Sequence, residues 1–173
     1  MKSKIKDSYL IKCFIVIALC FVIDSCISYF LPYNYTKTGI TIVPCIGLMM
    51  FALLVKTIQG VERYFFAAIC GVYFSVVYAN SLAIYILIYT LIAFVRSYIF
   101  QLEPLSLVES IIFCIMTIFA KESMLYWLMW ITNITRYPIV SFLVYRVIPT
   151  LILNLILSIP VYWVYNMVKI EVE

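Results

Sequence analysis

The sequence predicts an all-α integral membrane protein, with six transmembrane helices in one bundle and both termini cytoplasmic. Three observations carry this. Hydrophobic residues make up 66% of the 173-residue chain and charged residues only 12%, whereas soluble domains are about half apolar and about a quarter charged. A chain of this size folded in water could not hide so much apolar surface. Six apolar stretches also approach the roughly 20 residues needed to cross about 30 Å of hydrocarbon: 9–30, 40–58, 64–80, 82–99, 105–132 and 139–165. Lysine and arginine, finally, are unevenly shared between alternate loops.

The first stretch follows a basic start, MKSKIKDSYLIKC, and so has the outline of a signal peptide. Ile23-Asp24-Ser25-Cys26 even resembles a lipoprotein cleavage site. An acid directly upstream of that cysteine suits such a site poorly, and the apolar run is longer than a signal core. It is read as an uncleaved first span. LPYNYTKTG, with Pro32, Asn34 and Gly39, then breaks the chain before the second span, and QGVER, with Gly60, before the third. Ala79-Asn80-Ser81 is the weakest break; merging spans there gives four or five crossings. QLEP ends at Pro104 and introduces the fifth span, and NITRYP, with Arg136 and Pro138, introduces the sixth. No linker, charge run or repeat divides the chain, so residues 1–173 form a single transmembrane domain.

With the N-terminus inside, Lys2, Lys4, Lys6, Lys12, Lys56, Arg63, Arg96 and Lys169 face the cytoplasm, and only Lys37 and Arg136 lie outside. Tyr126, Trp127, Trp130, Tyr162 and Trp163 fall near span ends as interfacial anchors. Positive-inside bias accounts for the net charge of +4, so no nucleic-acid partner is expected. The chain has no histidine, which excludes Ser-His-Asp and Cys-His catalysis and His-bound zinc. Its six cysteines are scattered without a C-x-x-C and read as small apolar fillers rather than disulfides or metal ligands. No catalytic residue, cofactor or metal is expected.

Charges inside spans are costly and face the bundle interior or water. Asp24 in the first span, Lys121 and Glu122 in the fifth and Arg146 in the sixth all fall in the outer half of the bilayer under this topology. Arg146 is expected to pair with Glu122, with Asp24 as a second candidate, because a guanidinium can grip carboxylates bidentately. Lys121 lies about 100° round the helix from Glu122 and is expected to face another way or to snorkel outward. Such a cluster either fixes packing or binds a ligand or partner helix. In the sixth span Arg146, Thr150, Asn154 and Ser158 recur every four residues and share one face. Pro149 and Pro160 lie within that span; a proline frees the carbonyl one turn earlier and can kink the helix, so the face is expected against protein that can satisfy the freed backbone. Ala67, Gly71, Ser75 and Ala79 form a small-residue face in the third span, fit for close helix docking within the bundle or against another subunit. Arg96 and Glu109 flank QLEP as a further candidate pair. Asn34-Tyr35-Thr36 and Asn133-Ile134-Thr135 match a glycosylation pattern too frequent by chance to carry a function.

Six spans with R-x-x-P-T-x-x-x-N in the last, here Arg146, Pro149, Thr150 and Asn154, resemble the bacterial rod-shape-determining MreD family. LCFVIDSCISYFLP, with Asp24 and Leu31-Pro32, resembles the first helix of Gram-positive members. IVPCIGLMMFALL, with Pro44, resembles their second; GVYFSVVYANSLAIY, with Gly71, their third-to-fourth passage; FAKESMLYWLMWI, with Glu122, their fifth. Ser75 stands where many members carry an aspartate and Ala83 where glycine is common, so no role of a third-helix acid carries over. The resemblance covers nearly the whole chain. It implies a non-catalytic plasma-membrane scaffold that binds MreC, through its membrane helix and juxtamembrane part, with MreB, RodA and a class B penicillin-binding protein as further partners in lateral peptidoglycan synthesis. It also implies a fold similar to the substrate-binding subunits of energy-coupling-factor vitamin transporters. That sets the alternative, in which the polar cluster is a substrate pocket. Those subunits carry a small-residue pair in the first helix; here the first span offers only Ala18, Val22 and Cys26 at such spacing, and the scaffold is preferred. A membrane enzyme is a third, less favoured class.

Overall fold

The computed structural model describes residues 2–31, 39–58, 60–78, 82–98, 105–133 and 138–170. Among these residues the protein is all helical. Helix α1 (Lys2–Phe30) buries Cys13, Ile17, Cys20, Phe21 and Asp24 at three- and four-residue spacing and turns Ile15, Leu19 and Ile23 outward. Helices α3 (Glu62–Tyr78) and α4 (Leu82–Tyr98) have 17 residues each, which is about 25 Å. Helix α5 (Leu107–Ile131) starts from a capping box: the Ser106 hydroxyl accepts from the Glu109 N–H, and the Glu109 carboxylate accepts from the Ser106 N–H at 2.8 Å. It ends at Asn133, whose φ of 56° is tolerated best by glycine or asparagine. Helix α6 has three parts: an opening turn Ile139–Phe142, a π-helical stretch Leu143–Val147, and an α-helical body Ile148–Ile170. Three helical stretches are long and apolar enough to cross a membrane: Tyr9–Phe30, Leu107–Ile131 and Ile139–Val168.

The second stretch departs from expectation. Residues 40–58 are not one helix. Residues 40–45 are non-helical, and α2 covers only Ile46–Leu54. Pro44 gives the physical reason, since a proline disfavours α geometry at the residue before it. Every residue of α2 is buried, and it packs against α1, α4, α5 and α6. A helix that is apolar all round belongs in the centre of its fold, and here it is the hub. The turn after it needs Gly60, which has φ of 68°. Arg63 closes the end of α2: its Nε donates to the Val55 and Ile58 carbonyls (3.1 and 2.7 Å), its Nη2 to the Lys56 carbonyl (3.3 Å), and its Nη1 to the Ser97 hydroxyl of α4. Such bonds satisfy the orphan carbonyls of a helix C-terminus.

Two further expectations change. Glu109 serves the cap of α5, a local partner three residues away. Arg96 is fully buried, with its guanidinium carbon 5.3 Å from the centre of the Phe113 ring. The break at residues 79–81, together with Ala79 itself, lies outside the described residues, as do Asn34-Tyr35-Thr36 and Arg136.

Candidate functional site: a buried polar keystone

Breaking a helix inside an apolar bundle exposes backbone groups. Each one left unpaired away from water costs several kcal/mol. The segment 41–47 is such a break, and side chains from two helices, α1 and α6, meet its backbone. The Asp24 carboxylate of α1 accepts from the Ile46 and Gly47 N–H groups, both at 2.8 Å. It therefore caps α2 from a neighbouring helix, where a carboxylate also suits the positive end of the helix dipole.

Asn154 of α6 does most of the remaining work. Its Oδ1 accepts from the Cys45 N–H at 2.8 Å, and its Nδ2 donates to the Val43 and Thr150 carbonyls, both at 2.8 Å. The Thr150 hydroxyl accepts from the Val43 N–H at 3.3 Å. One turn earlier, the Thr41 N–H donates to the Tyr145 carbonyl at 2.8 Å. That carbonyl lies four residues before Pro149, which has no N–H to offer it. The non-helical segment thus supplies a donor that the proline withholds. The π-helical stretch sits in the same place, and the Ile148 N–H there reaches back five residues to Leu143.

The charges lie beside this segment. Glu122 of α5 is fully buried and holds two cations: Lys121 Nζ at 2.7 Å from its Oε1 and Arg146 Nε at 2.7 Å from its Oε2. Lys121 Nζ also donates to Cys45 Sγ at 3.2 Å, and that thiol donates to the Val43 carbonyl at 3.6 Å. Two acids and two bases are thus gathered with no formal net charge.

The structure brings Asp24, Glu122, Arg146, Thr150 and Asn154 together around one segment. Arg146, Thr150, Asn154 and Ser158 are all buried, as one face. Two details correct the sequence reading. Both Asp24 oxygens go to the backbone of α2. Lys121 neither turns away nor snorkels: it is only 4% exposed. Its long stem covers the 100° between neighbours because α5 buries a wide strip, Ile118, Lys121, Glu122 and Leu125 included.

Sequence reasoning missed Thr41, Val43, Cys45, Ile46 and Gly47, which act mainly through their backbone. The available signal was the pair Pro44 and Gly47 inside an apolar run. Gly47 has its own requirement, because the Phe21 ring occupies the space a β-carbon would take.

The small face of α3 lies elsewhere. Ala67, Gly71 and Ser75 are buried, and a β-carbon on Gly71 would lie 2.7 Å from Ile86 Cα and 3.0 Å from the Tyr85 carbonyl oxygen. This face is spent on α4 within the chain. Among the described residues no group of three or more His, Cys, Asp or Glu side chains could hold a metal ion. Comparison of the chain with family models, with curated proteins and with solved structures yields no match.

Proposed function

We propose that the protein is a non-catalytic, multi-pass scaffold of the bacterial plasma membrane, of the MreD type, that binds an MreC-like single-span partner and through it supports lateral wall synthesis. One observation carries the reading. Asp24, Glu122, Arg146, Thr150 and Asn154, five of the residues behind the family resemblance, are scattered over 130 positions of sequence yet converge on the segment 41–47. They are spent on one another and on backbone. A capture protein needs convergent polar groups left open for its ligand; a scaffold needs a rigid shape.

The second segment fits a crossing as well. Five non-helical residues at no more than about 3.3 Å each and nine helical ones at about 1.5 Å span at most roughly 30 Å end to end. We therefore keep six crossings and cytoplasmic termini in this reading, with the second crossing broken. A helix N-terminus at mid-membrane is also how transporters bind anionic substrates, which keeps vitamin capture as the second reading. Here Asp24 already occupies the α2 N-terminus.

Co-purification tests the choice. The chain co-expressed with an MreC-type protein should elute as one complex, and Arg146→Glu, which sets a second acid against Glu122, should lose it. Failure of the folded wild-type chain to form the complex, together with nanomolar binding of a vitamin, would replace the scaffold by the transporter subunit.

A further inference from the structure

The outer surface of α4 carries a groove of about 660 Å³, lined by Tyr64, Ile86, Leu87, Thr90, Leu91 and Phe94. That volume falls among binding sites of roughly 300–1,000 Å³. Its lining is almost entirely apolar. Thr90 spends its hydroxyl on the Ile86 carbonyl at 2.7 Å, so the groove offers no free hydroxyl of its own there. Leu87, Leu91 and Phe94 are 52%, 43% and 49% exposed.

A positive charge stands beside the lining residues. Tyr64 follows Arg63 directly, and the Arg63 guanidinium reaches Ser97, one turn beyond Phe94. Among the described residues the partners of Arg63 are all neutral: the carbonyls of Val55, Lys56 and Ile58 and the Ser97 hydroxyl. They use its Nε and one N–H on each Nη. A guanidinium has five N–H donors, so two have no partner among the described residues, on a half-buried side chain with a full positive charge. Planar paired donors of this kind match phosphate oxygens.

We infer that the groove is a phospholipid site, with an acyl chain along Leu87, Leu91 and Phe94 and the phosphate on the two remaining Arg63 donors. The inference requires the chain to lie in a bilayer. It does not require the scaffold role, and it survives if no MreC-like partner binds. Because Arg63 also closes α2, the bound lipid would brace the hub helix from outside.

Native mass spectrometry of the detergent-purified chain with added phosphatidylglycerol tests this. One lipid should stay bound on the wild type. Leu87→Trp, which fills the groove at a lipid-facing position, and Arg63→Gln should each reduce the bound fraction at least fivefold, and diacylglycerol, which lacks the phosphate, should not be retained. Should Arg63→Gln fail to fold, Leu87→Trp decides. Equal retention by wild type and Leu87→Trp, or equal retention of diacylglycerol and phosphatidylglycerol, would overturn the inference.

Discussion

Two regions of this protein solve the same problem by different means. Where α1, α5 and α6 meet the broken second segment, the joints are directed hydrogen bonds and ion pairs. Where α3 and α4 meet each other and the hub, the joints are close backbone contact and rings, apart from the Arg63 hydrogen bonds at the end of α2. Gly71 lets the two helices touch. Around them Phe51 meets Tyr89 with ring centroids 4.8 Å apart, Phe74 meets Tyr85 at 4.6 Å, and Phe21 stacks on Tyr73 at 5.2 Å. The aromatic region even leaves the buried Tyr89 hydroxyl without a hydrogen-bond partner among the described residues. Lipid tails are as apolar as leucine, so helices in a bilayer gain little from apolar burial alone. The lesson is that regular helices can rely on contact and ring geometry, whereas an irregular backbone needs side chains aimed at its polar groups. Phe21 bridges the two regions, since its ring lies on Gly47 at one side and on Tyr73 and Phe74 at the other.

Substitutions can break or sharpen this contrast. The largest effect belongs to Glu122→Ala, which leaves Lys121 and Arg146 buried without their shared counter-charge. Removing one partner of a buried pair costs about 3–5 kcal/mol, so the variant should lose its folded fraction in detergent, as read by thermal unfolding. If Glu122→Ala melts like wild type, the ion pairs contribute nothing to this joint. Next comes Gly71→Val in the contact region. Its β-carbon meets backbone at 2.7 Å rather than a movable side chain. Overpacking of this kind costs about 1–3 kcal/mol, and it should separate α3 from α4 without disturbing segment 41–47. The smallest effect has the opposite sign. Tyr89→Phe removes an unsatisfied buried hydroxyl and should raise stability by up to about 1 kcal/mol. A clear loss of stability in Tyr89→Phe would show that the hydroxyl does have a partner, and that the two regions differ less than described.

Much of this arrangement is legible in the residues, and the part that is not has a physical reason. Apolar length alone marks α1, α5 and α6. Four-residue spacing marks the buried face of α6, and depth along antiparallel helices puts Glu122 level with Arg146. The broken segment is harder. IVPCIGLMMFALL is apolar throughout, and hydropathy cannot distinguish a broken apolar segment from a helical one. Only Pro44 and Gly47 hint at the break, and a proline near a helix start is ordinary. The partners of Asn154 are backbone groups of Val43 and Cys45, which no side-chain pattern announces. Lys121 was misplaced because angular position ignores the reach of a four-carbon stem. Arg63 reads as a loop charge on the cytoplasmic side, yet it closes α2, because carbonyls five to eight residues upstream are invisible as partners until the turn at Gly60 folds back.

The central claim is that side chains of α1 and α6 hold the broken second segment in place. Hydrogen exchange of the lipid-embedded protein tests it most directly, comparing wild type with Asn154→Leu. That substitution leaves the Cys45 N–H without its partner, at about 1–3 kcal/mol for the orphaned group, and leaves the Val43 carbonyl only the Cys45 thiol. Peptides covering residues 41–47 should exchange at least tenfold faster in the variant, while those covering 62–78 and 82–98 keep their wild-type rates. Unchanged protection of 41–47 in Asn154→Leu, or a rise of the same size in all three regions, would contradict the account.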